Sequence, residues 1–435
     1  MKIAFYTLGC KTNQFETQAL ETLFEQRGHR VVPFDSFADV YIVNTCTVTA
    51  LSDKKSRNAA RRCKKINPAA TLIVCGCYSQ IEPEAARQMC GADIVVGTGN
   101  KGQIVELAEQ AQQAPLPLGS AVREARSFEL LPAGGLRGRT RALLKVQDGC
   151  QNFCTYCIIP YARGRCRSIP LEDAAREAAR LEQEGYCEIV ITGIEVSSYG
   201  VDLPERPPLS ALIEAVCQAA PHTRIRLSSL EPRTITPEFL QAIAPYSNLC
   251  PHFHLSLQSG CDATLRRMNR KYTAARYAQS VEWLNQAYPG CAVTTDLIVG
   301  FAGETEGDFQ QSLAFIRQCQ LAQVHVFPYS RRKGTPAYSM PDQVPRAERE
   351  RRSHEAGQVA QQLHRAFLRS KVGQVLPVLF EQEKEGLYSG FSPEYCEVRV
   401  SGQGLHNQVH PVRITGLAED HLTGELLDAP KEENQ

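Results

Sequence analysis

Net charge and long apolar runs are both scarce in this chain. Forty-eight Lys and Arg against 47 Asp and Glu leave a formal charge of +1, so no global field draws it to nucleic acid, and any such affinity must come from local patches. No stretch approaches the ~18 apolar residues of a membrane span, and the opening MKIAFYTLGC lacks the apolar core and small-residue cleavage site of a secretory leader. These absences argue against a membrane partner and lead us to expect a cytoplasmic protein whose thiols stay reduced, despite 17 cysteines. Internal repeats and low-complexity segments are absent too. At 435 residues the chain is long enough for roughly three domains.

The most informative shortage is of a fourth ligand. Cys150, Cys154 and Cys157 fall within eight residues, yet the next cysteine is Cys166 and the nearest histidine His222. A cuboidal 4Fe-4S cluster has four irons, each usually held by a thiolate. Three thiolates leave one iron open to another molecule. The alternative, a structural zinc knuckle, wants four closed ligands and commonly pairs CxxC with a second CxxC or an HxxxH.

Short apolar runs at 2–8, 40–45 and 71–75 alternate with helical patterns at 14–26 and 51–65, as expected of βαβ units and a parallel sheet. Each run ends at a cysteine: Cys10, Cys46 and the Cys75-Gly76-Cys77 turn. Ligands of open parallel sheets sit outside the carboxyl ends of the strands, so thiols distant in sequence can meet there. Cys77 is the better ligand of its pair, because Gly76 frees the turn while Cys75 belongs inside the strand. Cys63, Cys90, Cys187, Cys217, Cys250, Cys291, Cys319 and Cys396 are expected to be small buried hydrophobes.

Between Gln113 and Thr140, Pro and Gly interrupt the periodicity, as in a linker. Ala142–Val146 and five further runs, CEIVITG, RIRLSSL, HFHLSLQ, AVTTDLIVG and QVHVFPYS, then alternate with helical segments. They predict a barrel-like parallel sheet with reactive groups at the C-terminal strand ends. A long charged helix ends near Lys371, and 376–427 turn β-rich. The expected fold is therefore α/β: a parallel-sheet domain over 1–112, a linker over 113–140, a partial (βα)6 barrel over 141–370 and a small β-barrel over 371–435.

The cysteine loop, continued by IIPYARG, resembles radical S-adenosylmethionine (SAM) enzymes, and the whole chain resembles their methylthiotransferase family. The matches include ITGIEVSSYG, RLSSLEP, HLSLQSG, TDLIVGFAGET and HVFPYSRRKGTPA. The resemblance implies an auxiliary 4Fe-4S cluster on Cys10, Cys46 and Cys77. It also implies a second cluster on Cys150, Cys154 and Cys157 that SAM chelates and whose electron splits it into methionine and a 5′-deoxyadenosyl radical. The C-terminal module resembles a TRAM barrel, a fold that binds RNA or protein. The resemblance places Gly193 beside the methionine moiety of SAM. Glu195, Ser229, Glu231 and Gln258 are polar residues at strand ends that can orient SAM or cap helices. Gly300 permits close approach to adenine or a tight turn.

TLGCKTNQFET and HVFPYSRRKGTPA look most like the branch that methylthiolates N6-threonylcarbamoyladenosine in tRNA, beside the anticodon. The isopentenyladenosine branch usually has GCQMN there, and the ribosomal-protein branch GCPKN. The implied partners are that tRNA, a sulfur donor, and an electron donor such as flavodoxin or ferredoxin. Tyr329, Arg331 and Arg332 are candidates for the substrate side, since arginine pairs with the threonyl carboxylate. Seven cations between Lys54 and Lys65, and a second cluster of Arg266, Arg267, Arg270 and Lys271, are the local patches available to tRNA. Two departures from the family pattern are Ala302, where proline is usual in GFPGET, and Cys166, where a charged residue is frequent. From Lys371 onward 5 basic and 11 acidic residues give 5 − 11 = −6, a poor balance for gripping phosphates. Rival readings are methylthiolation of isopentenyladenosine or of a ribosomal-protein aspartate, and a non-enzymatic RNA-binding iron-sulfur redox sensor.

Overall fold

A computed structural model of the chain describes residues 1–113, 127–134 and 140–427. The N-terminal unit is a parallel sheet of β1 (Lys2–Thr7), β2 (Arg30–Val32), β3 (Val40–Thr45), β4 (Thr71–Gly76) and β5 (Ile94–Val95), in the order β2-β1-β3-β4-β5. β3 and β4 are buried along their whole length, as a sheet covered by helices on both faces requires. Chain order reverses between β1 and β3. The crevice of such a sheet opens there, outside the carboxyl ends of the strands. β2 and β5, two to three residues long, are too short to carry a periodic signal.

The second unit contains β6 (Arg141–Lys145), a small ribbon of β7 (Gln147–Asp148) and β8 (Arg167–Ser168), then β9 (Glu188–Thr192), β10 (Arg224–Leu227), β11 (His252–His254), β12 (Ala292–Val299) and β13 (Gln323–Pro328). Two three-stranded parallel sheets, β10-β9-β6 and β11-β12-β13, are joined by isolated bridges at Ile225–Leu249 and Leu230–Leu255 into one six-stranded arc. β11 is shorter than the HFHLSLQ run suggests, because the chain breaks from strand geometry before Gln258, whose φ is +67°.

Register assigns the two faces of the arc. Ile189, Ile191, Ile225, Leu227, Phe253, Val293 and Leu297 point outward into the main apolar core. Their alternates, Arg141, Glu188, Arg224, Arg226, His252, His254, Thr294, Asp296 and His325, share the inner face. The lumen is thus polar, as befits a barrel that is open rather than packed.

The last unit is a closed barrel, β14 (Val375–Lys384), β15 (Leu387–Phe391), β16 (Glu397–Ser401), β18 (His421–Leu426) and β17 (Gln408–Ala418), in that order around the wall. It follows the helix Arg346–Arg369. Its GFSPEYCEV segment plugs the lumen at the N-terminal ends of the strands. Arg224 donates to Phe391 O and Pro377 O, Arg226 to Pro393 O, and Arg141 to the Tyr395 hydroxyl. Rings of Phe391 and Tyr395 lie 4.6 and 4.9 Å from the Arg141 guanidinium.

Most of the expected linker, 114–126 and 135–139, lies outside the described residues. Within its described part Leu131 and Ala133 are buried; Arg180 donates to Ala133 O and Gly102 N to the Glu129 carboxylate. Among the described residues no helix is long and apolar enough to cross a membrane.

Candidate active site

Cys10 follows β1, Cys46 follows β3, and Cys77 begins the helix Cys77–Ile81 directly after β4. Three glycine and asparagine contacts hold these strand ends together. Gly9 has φ +112°, and a Cβ on it would stand 2.9 Å from Cys46 Cβ and 3.2 Å from its Sγ, so only glycine lets the Cys10 turn approach Cys46. Gly76, at φ +101°, presses as closely on Thr45, where a Cβ would stand 2.5 Å from its carbonyl oxygen. Asn13 donates to Leu8 O and Thr45 O at 2.7 and 3.0 Å, tying the β1 and β3 ends. Cys75 lies buried in the core behind.

The second trio sits on a loop closed by its own backbone. Cys150 N donates to Gly164 O and Cys157 N to Cys154 O, and Gly149, at φ +76°, lies so close to Arg165 O that a Cβ is impossible there. Thr155 ties the loop outward through Met268 O, Arg267 O and Ala337 N. Arg270 donates from Nη1 to Cys154 Sγ at 3.1 Å and from Nε to the Tyr272 hydroxyl.

The two trios face each other. Thr98 Oγ1 donates to Ala162 O, linking the first unit to the helix Ile159–Arg163 beside the loop, and Cys77 and Cys157 are within electrostatic range. Arg163 completes the join. Its guanidinium donates to Asn13 Oδ1 at 2.6 Å, to Glu16 and to Asp148, all buried. Lys101 and Lys145 pair with the same Glu16, at 2.6 and 3.4 Å, and Lys145 with Asp148 at 2.7 Å. Burial alone pushes Glu16 upward, but Arg163, Lys101 and Lys145 outweigh it and hold the carboxyl well below the usual range. Asp148 is held low in the same way by Arg163, Lys145 and Arg167.

Around the thiols burial wins. Cys150 and Cys157 are each pushed up to about 12 and Cys77 to about 11, first by burial and then by neighbouring thiols, with Glu195 ahead of the thiols at Cys150, and Cys46 is raised by burial and by Cys10. Such thiols stay protonated until a metal displaces their protons. No group of three or more Cys, His, Asp or Glu side chains among the described residues is spaced to hold a single metal ion. A cuboidal cluster makes a different demand, since each thiolate binds its own iron and the ligands stand further apart. Two trios of thiols, with Cys46, Cys77 and Cys154 buried, Cys150 and Cys157 half-buried and Cys10 exposed, fit that demand, each with cations at its edge.

Glu195 lies beside the loop trio, accepting from Asn152 at 3.2 Å. Burial pushes its carboxyl up to about 7 against the opposing pull of Arg270, and Glu231 adds to the rise. Gly193 is packed on Gln147: a Cβ there would stand 3.0 Å from Gln147 O, while Gln147 Oε1 accepts from Ile194 N and Glu195 N. Glu231 is buried and chelates Arg233 through both oxygens. Ser229 is exposed, whereas its neighbour Ser228 is buried with an unpartnered hydroxyl. Gln258 and Gly300 mark the exits of β11 and β12; Gly300, at φ +71°, donates to Glu304 and abuts Arg349.

The residues expected on the substrate side are already engaged. Arg332 is buried and pairs with Asp53 and Thr47 at the head of the helix Ala50–Ile66. Arg331 donates to Tyr338 O and stacks on the Tyr338 ring. Tyr329 is buried against Phe301 with its hydroxyl unpartnered. Of the second basic cluster, Arg270 turns inward to Cys154 and Arg267 pairs with Asp308; Arg266 and Lys271 remain exposed. Glu16, Lys101, Asp148, Arg163 and Gln147 went unread in the sequence. RGR after the cysteine loop was the one available hint.

The Radical SAM superfamily model matches residues 144–316, and that of Uncharacterized protein family UPF0004 matches residues 2–97. The threonylcarbamoyladenosine tRNA methylthiotransferase MtaB of Bacillus subtilis is 38% identical over 99% of this chain and 97% of its own length. This chain belongs to the radical SAM methylthiotransferase family. Another member, the tRNA-2-methylthio-N(6)-dimethylallyladenosine synthase of Pelotomaculum thermopropionicum, is 34% identical over 98% of this chain and 97% of its own. The fold is shared more widely. The radical SAM methyltransferase TsrM of Kitasatospora setae superposes with a TM-score of 0.56 at 13% identity, covering 89% of this chain and 80% of that one.

Proposed function

We propose that this enzyme converts N6-threonylcarbamoyladenosine beside the anticodon of tRNA to its 2-methylthio derivative. The facing of two cysteine trios across Arg163 supports the methylthio transfer, and similarity to the Bacillus subtilis enzyme along the whole chain supports the substrate. Cys10, Cys46 and Cys77 hold the auxiliary 4Fe-4S cluster, and Cys150, Cys154 and Cys157 the cluster that binds SAM. Bound there, SAM and its cluster supply a carbon radical able to act on an inert aromatic C–H, which polar chemistry cannot activate at neutral pH.

The chain's own residues do the positioning. Arg270 donates to Cys154 Sγ and so fixes that side chain in the loop. Gln147 holds the Gly193–Glu195 backbone against the cysteine loop, bringing the Glu195 carboxyl beside it, where it would pair with the ammonium of a bound SAM. Glu231 and Gln258 line the same strand-end rim, and Gly300 its far edge. Arg163 fixes the spacing of the trios while keeping Glu16 and Asp148 ionised. Lys54, Lys55, Arg61 and Lys65 are exposed on a helix whose head pairs with Arg332; this face takes the phosphates of the anticodon stem. The segments 1–112, 141–370 and 371–435 are the three domains of the enzyme, which works in the cytoplasm with flavodoxin or ferredoxin as electron donor and a separate sulfur donor.

The test is anaerobic. The reconstituted enzyme receives SAM, dithionite, sulfide and tRNA bearing threonylcarbamoyladenosine, and the digested nucleosides are weighed by mass spectrometry. A methylthio mass gain on that nucleoside is expected. Formation of 5′-deoxyadenosine with the nucleoside unchanged would overturn the substrate.

A further inference from the structure

With Arg332 and Arg331 engaged elsewhere, the threonyl carboxylate needs another cation. The lumen of the arc contains several, but most are already neutralised. Arg226 is bidentate with Glu188 at 2.6 and 2.9 Å and also donates to Pro393 O. Arg141 pairs with Glu381 of the C-terminal barrel at 2.6 Å, and Arg224 donates to two carbonyls of that barrel. These three arginines are taken up by the plug that closes the lumen from below.

Lys11 enters from the other end. It is the first residue of the helix Lys11–Gln26, next to Cys10, and its ammonium is within electrostatic range of Arg226, Arg141 and Glu188, and of His252 and His325. Those five residues lie on five different strands of the arc and share its inner face. The side chain therefore projects from the auxiliary trio into the lumen, where it remains accessible to solvent. Among the described residues it makes no hydrogen bond or ion pair. His252 beside it has a buried Nδ1 with no partner. An unneutralised ammonium next to an unsatisfied ring nitrogen calls for an anion with hydrogen-bonding oxygens.

We propose that Lys11 is the specificity-determining residue of this enzyme, pairing with the carboxylate of the threonylcarbamoyl group inside the lumen. The inference rests on the substrate assigned above. A carboxylate there neutralises the surplus charge, and placing the N6 substituent in the lumen leaves the adenine ring at the mouth, on the side of the thiols. Glutamine keeps much of the length and polarity of lysine but not its charge, which makes Lys11→Gln the informative change.

The experiment measures equilibrium binding to the two-cluster enzyme without reductant, using fluorescent anticodon stem-loops. These carry threonylcarbamoyladenosine, its threonyl methyl ester, or unmodified adenosine. The wild type is expected to prefer the acid over the ester by about tenfold or more, as for a charge-assisted hydrogen bond. Lys11→Gln is expected to bind both alike, and Lys11→Arg to restore much of the preference. The acid-to-ester ratio is internal to each protein, so a shared loss of cluster or fold does not mimic the result. If Lys11→Gln keeps the wild-type ratio, Lys11 does not read the carboxylate and the inference fails while the substrate stands. If the wild type itself does not distinguish threonylcarbamoyladenosine from adenosine, the substrate assignment fails and takes the inference with it.

Discussion

Two carboxylates stand beside the two cysteine trios, and they are tuned in opposite directions. Glu16, behind the N-terminal trio, is surrounded by Arg163, Lys101 and Lys145 and stays ionised far into acid. Glu195, beside the loop trio, has burial against it and chiefly Arg270 in its favour, and it titrates at about 7. The difference follows from how each trio is built. Thiols brought from three distant strand ends need an external frame, and a buried ion network joining two units provides one. A loop of eight residues frames itself with backbone hydrogen bonds. Its carboxylate is left free to respond to a bound cation.

Removing one thiol from each trio breaks the comparison most completely. Cys154→Ala is expected to abolish 5′-deoxyadenosine formation and methylthiolation together. Cys46→Ala should keep SAM cleavage and lose only the methylthio product. Iron analysis should find each variant short of roughly four irons, one cuboidal cluster.

Next in size is Glu16→Ala, which strands Arg163, Lys101 and Lys145 without their shared carboxylate. Breaking a buried pair from one side costs about 3–5 kcal/mol, so denaturant unfolding should show a loss of that order. Because the folded carboxyl lies below its unfolded value, its contribution is present above about pH 4.5 and fades as pH falls toward the folded value. A Glu16→Ala penalty that persists undiminished at pH 2 would contradict this frame.

Glu195 carries the opposite sign. Its folded value lies above its unfolded one, so ionisation costs stability progressively as pH rises from about 4.5 to about 7. The full difference amounts to roughly 3 kcal/mol. Glu195→Gln should flatten that slope in pH-dependent unfolding, and isothermal titration should find SAM binding weaker and no longer rising through pH 7. Identical slopes in variant and wild type would remove the contrast between the two carboxylates.

The smallest effects belong to the exposed helix face. Lys54→Gln and Lys55→Gln should each weaken tRNA binding several-fold, alike for modified and unmodified tRNA. Each should lower the log–log salt slope by about one, as read by filter binding at graded salt.

Much of this molecule is legible in one dimension. The CxxxCxxC loop is local, so spacing alone identifies it, and the apolar runs locate most main strands within a residue or two, β10 and β11 ending earlier than their runs, because buried parallel strands are nearly continuous in Val, Ile and Leu. Cys75 lies inside the strand core and Cys77 beyond the Gly76 turn, as expected, since a positive φ beyond a strand end is a backbone requirement visible in the sequence. The basic run Arg266 to Lys271 misled, because charge composition does not say which way a side chain turns, and Arg270 turns onto a thiol. Arg332 misled similarly, finding Asp53, which lies 279 residues away.

By itself, then, the sequence determined the family and the three units in their order, and it singled out six thiols by local spacing or strand-end position. Only the tertiary structure decided what surrounds those thiols: the Glu16–Arg163–Asp148 network, the C-terminal barrel plugging the lumen, and Lys11, which has no hydrogen bond or ion pair among the described residues. Charges pair through space, and low dielectric magnifies whichever pairs the fold happens to bury. No pattern along the chain specifies which they are.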